Sequence, residues 1–156
     1  MNNKFNIQIN SLSNVSLNFK NAMLYLNISE FGEWITIKND SIASYEMTLI
    51  KIKSNNKPDF YLFIENANIV VENDCIIINT FSNIKLMVSD KNNFEKNRFK
   101  NELKAINAQI NYLSASQNIG IKLDEVAKLY ELKQKKFEVQ MLLEFSLIEY
   151  EGVYNE

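Results

Sequence analysis

The chain has 156 residues, of which 46% are hydrophobic, so it is long enough to bury one packed core with room for a small appendage. It carries 17 basic and 19 acidic residues, which gives a formal net charge of -2, and Arg98 is its single arginine. Binding that depends on the release of counterions from nucleic-acid phosphates is therefore disfavoured.

The composition also restricts the chemistry that the chain can perform. It contains no histidine, one cysteine and three glycines. This excludes the usual nucleophile–histidine arrangements, the usual zinc sites and glycine-rich phosphate loops, so we expect no catalytic, cofactor or metal site. Glu72 and Asp74 are best explained as a solvated turn, and Trp34, beside Glu30 and Glu33, as a core or interface residue.

The first 90 residues alternate between apolar and polar positions with a period of two, as strands require. Turn signals separate the runs, and no segment between them is long enough for a helix. This pattern predicts an N-terminal antiparallel β meander in a curled sheet, a sandwich or a barrel. The alternating runs lie at Phe5–Ile9, Val15–Phe19, Leu24–Ile28, Trp34–Ile37, Tyr45–Ile52, Phe60–Ile64, Ile69–Val71, Ile76–Ile78 and Ile84–Val88, and one of the turns lies at Glu30-Phe31-Gly32.

The many asparagines and the single cysteine each lead to a structural prediction. The 24 asparagines are typical of an AT-rich genome, and Asn tolerates the left-handed conformation better than other residues that have a Cβ. We therefore expect asparagines at turn positions where glycine is usual. Cys75 stands in an apolar run, Cys75-Ile76-Ile77-Ile78, and is predicted to be a buried, unreactive thiol.

After residue 90 the apolar period becomes that of a helix. Asn92 and Glu95 form a candidate cap, a first helix follows, and residues 114–120 are predicted to be a loop. A second helix is predicted from Leu123. For residues 137–150 continued helix is favoured, and a returning strand is the alternative. The fold class is therefore α+β, with an antiparallel β domain at residues 1–90 and a C-terminal helical hairpin at residues 91–156, packed on the sheet or at an oligomer interface.

The helical region has more apolar surface than one exposed helix needs, so it is the candidate for an interaction or oligomer seam. In the first helix the apolar residues recur at spacings of four and three, and a second stripe follows in the segment after residue 136. The seam residues are Phe99, Leu103, Ile106, Ile110, Leu113, Phe137, Met141, Phe145 and Ile148.

The opening strand Phe5–Ile9, continued to Phe19, and the later run Tyr45–Leu49 resemble SecB-type export chaperones, which also place helices after an antiparallel sheet. The likeness covers less than half of the chain and consists of alternation that antiparallel sheets share. The Pro- and aromatic-containing segment expected ahead of that family's helices is absent. The resemblance adds a small chaperone to the candidate functions.

Together these features predict a non-enzymatic protein-binding module that masks the surface of a partner, as an immunity protein, a mobile-element inhibitor or a small chaperone does. The alternative is a structural subunit of a phage or another homo-oligomeric assembly. The expected partner is another protein, for which the acidic chain favours a basic surface, or a second copy. No signal peptide or membrane-spanning stretch is expected, which predicts a cytoplasmic protein.

Overall fold

A computed structural model describes residues 4–28, 32–117, 119–120 and 122–152. It confirms an α+β protein in which a strand-rich region precedes two helices. The chain divides into two compact units. The β unit takes in the chain up to Ser89 together with the segment from Ile148 onward, and the helical unit runs from Asp90 to Leu147.

Within the described residues, seven strands precede the helices and an eighth follows them. The predicted turn at residues 30 and 31 lies outside the described residues. The strands are β1 (Phe5–Ser11), β2 (Ser16–Asn27), β3 (Trp34–Thr36), β4 (Ser41–Lys53), β5 (Phe60–Glu72), β6 (Cys75–Thr80), β7 (Met87–Ser89) and β8 (Leu147–Glu149).

Five of these strands close into a small barrel. β1 pairs with β2, β2 with β4, β4 with β5 and β5 with β6, each antiparallel, and β6 returns to pair in parallel with β1. A meander reverses direction at every strand, so the first and fifth of five strands run the same way and can close the ring only in parallel. Of the three predicted arrangements, the strand pairing gives the barrel.

Alternate side chains fill the interior of the barrel. β-branched and other large apolar residues occupy the inward positions, and each fully buried one contributes about 1.5–3 kcal/mol. The buried cluster comprises Phe5, Ile7, Ile9, Phe19, Ala22, Leu24, Leu26, Ile37, Ile50, Ile52, Phe60, Leu62, Ile64, Ala67, Ile69, Val71, Ile76 and Ile78.

Two asparagines in the left-handed conformation bend β2 and β5, two of the three long strands. Asn21 (φ 54°) lies at a bulge where Phe5 pairs with Ala22 but Ile7 pairs with Phe19. Asn66 (φ 44°) marks the point at which the inward positions of β5 change from even to odd numbers. Each of these residues therefore continues one strand around the barrel where the alternation predicted two short runs.

Cys75 is exposed, so the prediction of a buried thiol is wrong. Its neighbours Ile76 and Ile78 point into the barrel. In a strand with a period of two, Cys75 and Ile77 must then face outward.

The helical unit contains α1 (Lys96–Gln117) and α2 (Leu123–Phe145). The first helix runs further than predicted, into the segment expected to be a loop. At its start the turn is held by Asp90 rather than by Asn92, because the Asp90 carboxylate accepts hydrogen bonds from the amides of Asn92 (2.9 Å) and Asn93 (3.2 Å).

The segment from residue 137 is helical to Phe145, as favoured, and then becomes the short strand β8. Ser146 makes this change in the left-handed conformation (φ 51°), and its amide donates to the carbonyl of Leu142. The helix therefore ends with a left-handed cap, a position that glycine usually takes.

Candidate functional site

The first five residues of the predicted seam lie on one side of α1. Ile106 is buried, and the other four are half-buried around it. Their partners on α2 are Leu132, Val139 and Leu143, so this seam packs inside the helical hairpin. Lys135 also forms an ion pair with Glu102 across the hairpin, with Nζ and Oε1 3.6 Å apart.

The other four predicted seam residues are placed differently. Phe137, Met141 and Phe145 lie on α2 but are not members of the cluster that joins the two helices. Met141 is fully buried, and Phe137 and Phe145 are half-buried. Ile148 belongs to β8. The structure thus packs the α1 half of the predicted seam against α2, and it places the second half on α2 and β8.

A different surface stands out on the β unit, on the outside of the barrel. Ile42, Val70 and Ile77 are directly opposite one another on β4, β5 and β6, and all three face outward. Ile42 is 79% exposed and Ile77 is 40% exposed. We call these three side chains the apolar row.

Two residues further along each strand lies a second row, which is polar and uncharged. The register joins its members side by side across β4, β5, β6, β1 and β2. We call it the amide row; it comprises Ser44, Asn68, Asn79, Asn10 and Ser16.

Hydrogen bonds between its side chains hold the amide row in place. Ser44 Oγ donates to Asn68 Oδ1 (2.7 Å), and Asn10 Nδ2 donates to Asn79 Oδ1 (3.0 Å). Ser16 Oγ donates to Asn10 Oδ1 (3.1 Å). Side chains ordered in this way lose less conformational entropy when another molecule binds to them.

On the opposite side of the apolar row the surface is acidic. Glu72 ends β5 and is exposed, and Asp74 follows in the β5–β6 turn. Ser41 pairs with Val71, so the next position of this antiparallel register brings Asp40 opposite Glu72. We call Asp40, Glu72 and Asp74 the acidic edge. The outer face of the barrel is therefore striped: acidic edge, apolar row, amide row.

A shallow groove of about 330 Å³ continues the face over β6, β1 and β2. Its outward side chains include Gln8, Asn18, Cys75 and Ile77, and Lys20 is the one charged residue in its lining. Apart from Lys20 the groove is uncharged, and its residues Gln8 and Asn18 continue the line of Ile77 toward β2.

A second cluster on the β unit surrounds Lys51. The Lys51 ammonium lies 4.5 Å from the ring centre of Trp34 and 4.7 Å from that of Tyr25, and Trp34 meets Tyr61 edge-on. Burial lowers the pKa of Lys51, and burial together with the Asp59 carboxylate raises the pKa of Tyr61. Because the Lys51 ammonium already forms cation–π contacts with Trp34 and Tyr25, the charge of this cluster is paired within the protein.

In the described ranges, no group of three or more carboxylate or thiol side chains converges as a metal site would require. Neither helix of the described chain is both long and apolar enough to pass through a membrane.

The striped face was not predicted from the sequence. Its alternation shows which residues of one strand share a side, such as Ile77 with Asn79. It does not show that Ile77 lies beside Val70 and Val70 beside Ile42, because that depends on the register of strand pairs. The usable signal was the run of uncharged residues at alternate positions in Gln8–Asn10, Asn68–Val70 and Ile77–Asn79.

Two family models match the chain. Residues 6–85 match the UU051 N-terminal domain, and residues 100–150 match a domain described as the uncharacterised protein UU051 C-terminal domain. The chain is also 36% identical over 155 residues to the uncharacterised protein UU051 of Ureaplasma parvum serovar 3, an alignment that covers 96% of this chain and 91% of that relative. With both halves and nearly the full length matched, the chain belongs to the UU051 family.

Proposed function

We propose that the chain is a non-enzymatic protein-binding module that acts through the striped outer face of its barrel. The observation that carries this proposal is the apolar row, three aligned outward side chains of which Ile42 and Ile77 are exposed and Val70 is half-buried. An exposed apolar strip with ordered polar neighbours is a typical protein contact surface. An inhibitor, an immunity protein or a small chaperone would use such a face to mask its partner.

The chemistry of the face favours a protein over other ligands. Ten side chains, those of the apolar and amide rows with Gln8 and Asn18, include no charge. Depletion of charge at the centre is characteristic of protein interfaces, whereas nucleic-acid surfaces need clustered cations. The groove is open and shallow, while small-molecule sites enclose most of their ligand.

The test is capture of partners from the native host with the tagged full-length chain and with Ile42→Asp. Ile42 is 79% exposed, so this variant should fold, which its thermal melt checks, while it places a carboxylate in the apolar row. We expect the variant to lose a protein that the wild type retains. Leu12→Asp, at an exposed position in the β1–β2 turn, is the matched control and retains it. Equal capture by both variants would remove the striped face from the proposal.

One observation favours the alternative, an assembly subunit. The end of the helical hairpin carries large apolar side chains in water: Tyr112 is 73% exposed, Leu123 86% and Ile119 92%. A second copy of the chain would cover them in a closed homo-oligomer. Light scattering decides between the two functions, since a monomer at every concentration contradicts assembly, and a large ring or filament contradicts masking.

A further inference from the structure

We infer that the partner of the striped face is an amphipathic helix with one basic flank, which lies across the strands of the barrel. This inference rests on the proposed function and adds the chemistry of the bound segment. Its apolar stripe would cover the apolar row, and its cations would lie over the acidic edge.

The spacing of the side chains within the apolar row is the first argument for a helix. Neighbouring strands lie about 4.8 Å apart, so the side chains of the apolar row recur at that interval across β4, β5 and β6. Apolar residues on one side of a helix recur about every 5 Å along its axis. Alternate residues of an extended strand recur at roughly 7 Å, which fits the row less well.

The width of the face gives the second step. Successive positions on one side of a strand are roughly 7 Å apart, so the acidic edge and the amide row flank the apolar row at about that distance. A helix with its side chains is about 10–12 Å wide. Lying along the apolar row, it would therefore reach both neighbouring stripes.

Charge complementarity gives the third step. Within the described chain, none of the three carboxylates of the acidic edge has an ion-pair partner; the ion pairs found there involve other residues. The amide row on the other side is uncharged. The face therefore distinguishes the two flanks of a bound helix, placing lysine or arginine over Asp40, Glu72 and Asp74, and neutral residues over the amides.

The experiment uses two synthetic helical peptides with the same leucines at i, i+3, i+4 and i+7. One peptide carries lysines along one flank, and the other carries glutamates at the same positions. Fluorescence anisotropy measures the binding of each to the full-length chain. We expect the lysine peptide to bind the wild-type chain more tightly than the glutamate peptide does, and not to bind Ile42→Asp. Its binding should also weaken in about 1 M salt, where the screening length falls to about 3 Å.

A neutral variant tests the acidic edge itself. The triple variant Asp40→Asn, Glu72→Gln and Asp74→Asn keeps side-chain shape, and Asn tolerates the left-handed backbone of residues 40 and 74. It should bind the lysine peptide about fivefold or more weakly, as expected for the loss of exposed ion pairs. The control triple, Asp124→Asn, Glu125→Gln and Glu144→Gln on α2, changes the net charge equally and should bind as the wild type does.

The inference is overturned if neither peptide binds, if both bind equally, or if the two triple variants behave alike. Those results leave the proposed function to its own test. A host protein that is lost with Ile42→Asp but held equally by both triple variants would support the binding face and contradict the basic helix.

Discussion

Asparagine replaces glycine at the tightest points of the β unit. Asn14, Asn56 and Asn73 have positive φ values in turns, and Asn21 and Asn66 have them inside strands. The abundance of asparagine predicted the turn positions, because its short side chain tolerates the left-handed region. The two strand positions were not predicted, since an isolated Asn between apolar runs has the same appearance in sequence whether the strand ends or bends.

Asp90 shows how one side chain can set a turn and make stability depend on pH. Hydrogen bonds from the Asn93 side chain and from the amides of Asn93 and Asn92 lower the pKa of Asp90 from its ordinary value of 3.8. Because the folded pKa is lower than the unfolded pKa, ionised Asp90 stabilises the fold above the unfolded value, and this contribution is lost as pH falls through the folded pKa.

Asp90→Ala should therefore lower the urea midpoint at pH about 7, and the difference from wild type should be smaller at pH about 3, below the unfolded pKa. Urea titrations followed by far-ultraviolet circular dichroism measure both midpoints. Glu144→Ala, which removes an exposed carboxylate from α2, is the control and should show little difference at either pH. A deficit for Asp90→Ala that stays constant with pH would show that the carboxylate charge has no part in the turn.

At the level of elements, periodicity predicted the fold class well and the element ends less well. The period of two identified the strands, and the spacing of Phe99, Leu103 and Ile106 identified α1, because burial of one side forces these patterns. The C-terminal end of α1 and the cap at Asp90 were missed. Both depend on polar residues whose hydrogen bonds form only after the chain has folded.

The choice between helix and strand for residues 137–150 could not be made from pattern, because Phe137, Met141 and Phe145 fit a helical stripe while the alternate residues fit a strand. The structure contains both, with the change at Ser146. That residue adopts a left-handed conformation that serine seldom takes, so its identity gave no signal of the boundary.

The packing of α1 on α2 gives a prediction at the same level. Ile106 is 7% exposed and lies against Leu132 and Val139, so Ile106→Asp would place an unpaired charge in the seam of the hairpin. The expected loss is about 3–5 kcal/mol of unfolding free energy. Thermal melts followed by far-ultraviolet circular dichroism should show it. Ala105→Asp, at the exposed neighbouring position, should cost less than about 1 kcal/mol. Equal melting of the two variants would contradict the packing of the hairpin.

For the whole molecule, the closure of the barrel was the step that sequence could not supply. A meander was predicted, but β1 and β6 are about 70 residues apart in the chain, and their parallel pairing follows only from the five-strand count. The same pairing places Asn10 beside Asn79 and Gln8 beside Ile77. The extension of the candidate face over β1 and β2 is therefore a product of closure, whereas its apolar row follows from the register of β4, β5 and β6.

The segment that follows the helices contributes to the core of the β unit. After the helices, the Tyr150 amide donates to the carbonyl of Leu86 (2.9 Å), and the Tyr150 ring meets Phe60 edge-on with ring centres 5.1 Å apart. A Cβ on Gly152 would overlap this ring, so the glycine leaves room for it. Because Phe60 belongs to the buried cluster of the barrel, the C-terminal segment extends that core.

Tyr150→Ala should therefore weaken the β unit, although the residue lies beyond both helices. The expected loss is about 1–3 kcal/mol, less than for a fully buried aromatic side chain because Tyr150 is half-buried. Trp34, the single tryptophan, lies in β3 and reports on this unit by its fluorescence during urea unfolding. Tyr112→Ala, which removes a 73% exposed tyrosine from α1, should leave the tryptophan midpoint unchanged. If Tyr150→Ala also left it unchanged, the barrel would owe its stability to the strands before residue 90, and the return of the chain would be a tether for the hairpin instead of a part of the core.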